Sequence, residues 1–321
     1  MATFARATYS SAGYAAFRPS YPPALFNRVL GFHNANRGRA SSPSPTPTPG
    51  AGSGKLLDLG CGHGLIARAL APSFSSVIAL DPSAGMVEQA RKLTSDPKIT
   101  IHHGGAEDLS FVPDSFVDCV VAGQAAHWFD FHKVWPELAR VVKRGGTLAF
   151  WGYKDHVIVG RPETTAIFDS FIYGATEPVA GVESMARYWE QPGREILRDS
   201  YVAIVPPERD WEDVTRIAWD PDRESDVDLD SVPEGALWQR KTIKLGELEG
   251  YVRTFSAFSG WQSAHPERKS RAEGGEGDVV DLLFDEVVGA VPEWKALGDD
   301  RWREVAVDVV WGTVILMAKR R

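Results

Sequence analysis

The stretch KLLDLGCGHG, residues 55–64, decides the fold. Leu56, Leu57 and Leu59 read as a short buried strand, and Gly60, Gly62 and Gly64 follow as a turn where backbone can lie directly against a ligand. Glycine suits that turn because it has no Cβ and reaches positive φ at little cost. Open α/β sheets bind ligands in the crevice beyond the carboxyl ends of their strands. The stretch therefore predicts a nucleoside-bearing ligand at the end of a first parallel strand.

Two details choose among such ligands. The dinucleotide fingerprint G-x-G-x-x-G needs a third glycine where this chain has Leu65. Asp58 stands two residues before the first glycine. Beside a pyrophosphate it would be repelled by a few kcal/mol at roughly 4–6 Å and an intermediate dielectric. The same carboxylate suits a cationic ligand that has no phosphate. These residues favour S-adenosylmethionine, with its ammonium and sulfonium, over NAD.

Spacing extends the pattern. Residues 77–80 read as a second strand running into Asp81-Pro82-Ser83. An acid about 20 residues beyond a glycine turn is placed to take two ribose hydroxyls, and Asp81 fits, with Pro82 beside it. The competing role for Asp81 is N-cap of a helix over residues 84–93, a position Ser83 can fill instead. Met86, one turn into that helix, can cover an adenine face or simply pack in the core.

LDLGCGHG at 57–64, DPSAGMVEQAR at 81–91, GGAEDLSF at 104–111 and RVVKRGGTLAFWGY at 140–153 resemble the class I S-adenosylmethionine-dependent methyltransferases. YAAFRPSYPPALF at 14–26 and GQAAHWFD at 123–130 resemble the trans-aconitate-methyltransferase-like group within it. YWEQPGREIL at 188–197 and VWGTVILMAKR at 310–320 extend the likeness. The resemblance implies an α/β, Rossmann-like sheet of seven mostly parallel strands, the last reversed, with helices on both faces. An N-terminal helical cap and a lid insertion, read from the residues below, complete the expected fold.

The composition agrees with an enzyme of small molecules. The chain has 321 residues, 43% of them hydrophobic, and a formal net charge of −8. Nucleic-acid binding relies on a basic face, so that partner class is disfavoured. No apolar run approaches bilayer-spanning length, and the start of the chain lacks the apolar stretch of a signal peptide. Cys61 and Cys119 suggest no disulfide framework, so a cytoplasmic location is expected. His102 and His103 face opposite sides if they lie on a strand, and the eight histidines show no metal-ligand spacing.

Residues 1–38 read as the cap, with a helix over 21–32 opened by prolines. Residues 39–54, RASSPSPTPTPGAGSG, read as a flexible linker. Residues 55–153 form the cofactor-binding core, where strands alternate with helices as a parallel sheet requires. Residues 154–236, acidic in their second half, read as a lid over the substrate pocket. Residues 237–321 return to the core sheet, with a strand at 241–245, helices at 247–258 and 278–288, and a strand at 311–317.

Methyl transfer is an in-line displacement in which alignment and water exclusion supply about 7–11 kcal/mol. An acceptor that is not yet ionised gains a further roughly 10²–10⁴-fold from a base. His127, just after the fourth strand, is the candidate base, or else it orients its loop. Gln124 contacts the cofactor or fixes the same loop. Trp128 and Phe129 can place an aromatic face near the sulfonium, and Trp151 can line the acceptor pocket. The resemblance assigns Arg18 to the cofactor's methionine carboxylate, with Tyr14 and Tyr21 closing over that end. It sets Ala106 and Glu107 beside the adenine, with Asp108 as the competing acid. Tyr188 and Arg194 are candidates for an anionic or aromatic substrate. The expected activity is methylation of an oxygen, carboxylate or hydroxyl, of a small acid or secondary metabolite, with carboxyl O-methylation the leading reading that the resemblance implies. N-methylation, a cofactor-binding protein without turnover, and an NAD-dependent oxidoreductase are the alternatives.

Overall fold

The computed structural model describes residues 17–35, 52–176 and 182–321. The elements in chain order are α1 (Pro23–Asn34), β1 (Lys55–Leu59), α2 (Leu65–Leu70), β2 (Ser76–Asp81), α3 (Ala84–Leu93), β3 (Ile99–His103), β4 (Val117–Gly123), α4 (Phe131–Val141), β5 (Val142–Ile158), α5 (Pro162–Tyr173), α6 (Gly193–Arg198), β6 (Trp211–Trp219), β7 (Arg240–Lys244), α7 (Leu245–Val252), α8 (Ser256–Ala264), α9 (Val279–Ala290), α10 (Pro292–Lys295) and β8 (Ala306–Arg320). The chain divides into two compact units. One holds described residues 20–35, 52–154, 195–218 and 313–321; the other holds 17–19, 155–176, 182–194 and 219–312.

The strands follow the order β3-β2-β1-β4-β5-β8-β6, and β7 pairs with β8. The pairings from β3 through β5 are parallel. The chain winds outward from β1 to β3, then returns to lay β4 and β5 on the other side. The gap between β1 and β4 is therefore the switch point where such sheets hold ligands. Leu56 to Leu59 of β1 are all buried, as expected for a central parallel strand covered on both faces. The α4 helix starts where the Asp130 side chain accepts from the His132 amide. It buries Val134, Trp135, Leu138 and Val141 on one face.

The sheet has eight strands where seven were expected. The extra strand follows from the length of β8, whose 15 residues exceed an average strand. Residues 306–310 pair antiparallel with β7 in the second unit. β6 is a second departure, because it lies in the acidic second half of the expected lid. Trp211–Trp219 forms an edge strand with Trp211 buried and the residues after it exposed or half-buried. An edge strand packs on few neighbours, so charge along it is no obstacle. The single helix expected at 247–258 is two helices, broken where Phe255 takes an extended conformation. The described end of the expected linker, residues 52–54, is docked: the Ser75 amide donates to Gly54 O at 2.9 Å.

The second unit packs α5 and α9 around Phe168, Phe171 and Phe284, all buried. The Asp278 carboxylate caps α9 and, with Asp281 and Glu249, holds the Arg253 guanidinium. This carboxylate set answers for Arg253 as a structural anchor within its own unit.

Candidate active site

The β1 end of the switch point is shaped by left-handed glycines. Gly60 (φ +67°), Gly62 (φ +53°) and Gly64 (φ +82°) all adopt conformations that disfavour a side chain. A Cβ on Gly60 would meet the Ala125 Cβ at 2.5 Å, so glycine lets the loop after β4 close on the turn. A Cβ on Gly62 would meet nothing within 4 Å, so its backbone borders open space.

Asp58 is fully buried, and neither of its carboxylate oxygens has a hydrogen-bond partner of normal geometry. Burial pushes its carboxyl up to about 7; the Ala67 amide opposes this in part, and the negative Asp81 adds to it. A buried acid with no partner is costly, and a cationic ligand at this turn would relieve it. Asp81 accepts from the Gly62 amide at 2.9 Å and the Ser83 amide at 2.8 Å. Burial raises its pKa first, against those two hydrogen bonds. Ser83, not Asp81, caps α3, with its hydroxyl accepting from the Met86 amide at 3.4 Å. Each Asp81 oxygen thus keeps a lone pair beyond its one backbone donor. Pro82 O contacts His103 Nε2 at 3.0 Å, and Met86 and Ala106 are buried. Glu107 accepts from the Asp130 amide at 3.0 Å, which ties the turn after β3 to the start of α4. Its competitor Asp108 is exposed and accepts from the Ser110 amide.

The β4 end is assembled from three segments. Gln124 has φ +57°, and its side-chain amide replaces a strand partner. Its Nε2 donates to Tyr153 O and its Oε1 accepts from the Tyr153 amide, both at 2.9 Å. This geometry engages both ends of the amide in fixing the loop. His127 lies on a short helical turn, Ala126–Trp128, and is 6% exposed. Its Nδ1 lies 3.4 Å from the Tyr201 hydroxyl, its ring stacks on Tyr201, and Trp128 adjoins it. Tyr201 in turn donates to Trp151 O at 3.2 Å. Trp151 is buried with its indole N–H unpaired, and Tyr21 meets its ring edge-on at 5.7 Å.

Tyr201 and Gly152 were not anticipated. A Cβ on Gly152 would meet the Tyr201 hydroxyl and Leu197 Cδ1, each at 2.6 Å. A glycine inside a strand pattern signals such close approach, and the FWGY of residues 150–153 carried that signal. Nothing in the local sequence marked Tyr201, whose partners stand 50 and 74 residues away.

Tyr21, Asp58, Gly60, Gly62, Asp81, Pro82, Met86, Ala106, Glu107, Gln124, His127, Trp128 and Trp151 all belong to the parallel-sheet unit. Arg18, Tyr188 and Arg194 belong to the other unit. There Arg18 donates to the Thr254 hydroxyl at 2.9 Å and lies over the Tyr251 ring. Tyr188 donates to Glu183 at 2.8 Å. Arg194 is paired with Asp155 and Tyr173 and lies 4.4 Å over the Trp189 ring. Tyr14 lies outside the described residues. Among the described residues no three His, Cys, Asp or Glu side chains form a group that could hold a metal ion.

Residues 57–150 match the family model described as a methyltransferase domain. With the fold and the glycine turn, this makes the protein a class I S-adenosylmethionine-dependent methyltransferase, with S-adenosylmethionine as its cofactor. The chain is 25% identical over 320 residues to a probable S-adenosylmethionine-dependent methyltransferase of Saccharomyces cerevisiae, covering 98% of this chain and 96% of that one. It is 27% identical over 285 residues to a candidate methyltransferase of Dictyostelium discoideum, covering 85% and 89%. Among solved structures it resembles a candidate type II methyltransferase of Anaeromyxobacter dehalogenans. That likeness has a TM-score of 0.59 and 25% identity, and it covers 95% of this chain and 98% of that one.

Proposed function

We propose that the protein methylates an oxygen of a small-molecule acceptor, with a hydroxyl favoured over a carboxylate. The observation that carries this reading is His127, buried at the carboxyl end of β4 with its ring tied to Tyr201. A base is useful only for an acceptor that still holds its proton; a carboxylate is already anionic at pH 7. The likeness to the trans-aconitate-methyltransferase-like group is what favours a carboxylate, and keeps it as the second reading.

Each residue's role follows from its chemistry. S-adenosylmethionine, when bound, supplies a methyl group on a positively charged sulfur. The turn from Gly60 to Gly64 would receive it, with Asp58 offsetting its positive charge. Asp81 would use its remaining lone pairs for the ribose hydroxyls. Met86 and Ala106 would flank the adenine. His127 would take the acceptor's proton, while Trp128, Trp151 and Tyr21 keep water out. Arg18, Tyr188 and Arg194 make their contacts within the other unit and take no part in this proposal. The net charge of −8 disfavours a nucleic-acid acceptor, and the two buried cysteines, Cys61 and Cys119, suit a cytoplasmic location.

The test is formation of S-adenosylhomocysteine across a panel of hydroxylated, carboxylic and amino metabolites. The reading expects turnover with a hydroxylated acceptor, falling as pH drops below neutrality. Turnover with a carboxylate alone, at a rate flat down to about pH 5, would support the second reading instead.

A further inference from the structure

The last turn of α6 ends unusually. The Tyr201 amide donates to Ile196 O at 3.0 Å and the Ser200 amide to Leu197 O at 3.1 Å, the paired bonds of a Schellman cap. The residue after such a helix end is usually glycine, because it takes a left-handed conformation. Here it is Ser200, at φ +54°, and Tyr201 follows at φ +58°. Two successive left-handed side-chain-bearing residues are strained, and they persist only where the surroundings hold them. The surroundings do so: Lys154 Nζ donates to Ser200 Oγ at 2.6 Å, and Gly152 leaves room for the Tyr201 hydroxyl. The result sets the Tyr201 hydroxyl between His127 Nδ1 and Trp151 O.

A phenol has one proton to give. Trp151 O can only accept, so both contacts are made together when the phenol gives its proton there and His127 Nδ1 donates to the phenolic oxygen. We infer that Tyr201 is a positioning residue: it fixes His127 in the tautomer with the proton on Nδ1 and the lone pair on Nε2. The strained turn at Ser200–Tyr201, braced by Lys154 and admitted by Gly152, exists to deliver that hydroxyl. The partner of a histidine's one ring nitrogen decides the state of the other. The inference rests on His127 being the base, and adds what makes it one.

The direct test is long-range ¹H–¹⁵N correlation of the imidazole nitrogens in uniformly ¹⁵N-labelled protein saturated with S-adenosylhomocysteine. His127→Gln identifies the signals. The expected result above pH 7.5 is a neutral His127 ring with a pyrrole-type Nδ1 and a pyridine-type Nε2. Tyr201→Phe keeps the ring that stacks on His127 and removes only the hydroxyl. It should transfer the proton to Nε2 in a major fraction of molecules. It should also lower kcat by about tenfold while leaving KM and S-adenosylhomocysteine affinity unchanged. A wild-type ring protonated on Nε2 would overturn the inference without any variant having to fold. An Nδ1–H form that survives Tyr201→Phe would overturn it equally. The spectrum reads the tautomer whether or not His127 is a base. Turnover of His127→Gln reads the base role by itself, so the two failures are told apart.

Discussion

On the β1 side of the switch point, Asp58 is buried with only the Ala67 amide, at poor geometry, to serve its two oxygens, and Gly62 presents backbone to open space. On the β4 side, Gln124 is bonded at both ends of its amide, and His127, Tyr201 and the Trp151 carbonyl form a chain. The first side leaves a carboxylate short of donors. The second is closed by its own hydrogen bonds. The division suits methyl transfer. Cofactor binding can draw on the relief of an unpaired charge, while proton transfer needs groups already held in place.

The largest expected effect is on the preset side. His127→Ala should lower turnover by about a hundredfold with S-adenosylhomocysteine affinity unchanged, read by steady-state kinetics and calorimetry. A loss of cofactor affinity of the same size would erase the distinction between the two sides. On the ligand-dependent side, Asp81→Ala should weaken S-adenosylhomocysteine binding at least tenfold. It removes charge-assisted hydrogen bonds of about 1.5–3 kcal/mol each and releases the Gly62 amide. Unchanged affinity in a folded variant would confine Asp81 to bracing the turn.

A smaller effect is expected at Gly152. Gly152→Ala drives a methyl into the Tyr201 hydroxyl and Leu197, an overpacking that costs about 1–3 kcal/mol of stability. It should lower kcat severalfold and leave cofactor affinity intact, as kinetics and a thermal melt would show. Equal loss of both parameters would mean that the two sides share one scaffold.

The smallest effect concerns Asp58 and pH. Its carboxyl, pushed up to about 7 by burial, keeps in the folded chain a proton that the unfolded chain releases near about pH 4. The folded state then binds more protons across that window, so stability falls as pH rises through it. Asp58→Asn abolishes that fall. At pH 8 without ligand it should raise stability by about 1–2 kcal/mol, part of the gain being offset by its own unpaired amide. The gain should vanish at pH 4. A variant less stable than the native chain at pH 8 would show that the Asp58 charge is satisfied in the ligand-free protein.

The two sides also differ in how far the sequence disclosed them. The β1 side is contiguous: strand, carboxylate and three glycines fall within residues 55–64, and Asp81 follows at the spacing such sheets use. Local chemistry alone makes it readable. The β4 side joins residues 124–128, 151–154 and 197–201, and only the first two lie in recognisable strand-end motifs. Tyr201 belongs to a helix end whose glycine position is filled by serine, so the usual stop signal was missing. β6 escaped notice for another reason. As an edge strand it needs little burial, and its charged residues mimic a solvated loop. The break at residues 253–255 was hidden because apolar periodicity continues through Phe255 and Phe258.

If Asp58 meets the ligand's cation at the glycine turn, ligand binding releases a proton. S-adenosylhomocysteine is titrated into the protein at pH 6.5 by calorimetry, in buffers of different ionisation enthalpy, and again at pH 8.5. With its carboxyl near 7, Asp58 is mostly protonated at the lower pH, and a cation beside it should expel that proton. Release of about half to one proton is expected at pH 6.5, nearly none at pH 8.5, and none at either pH in Asp58→Asn. Tight binding at pH 6.5 with no proton released, or the same release from Asp58→Asn, would contradict it.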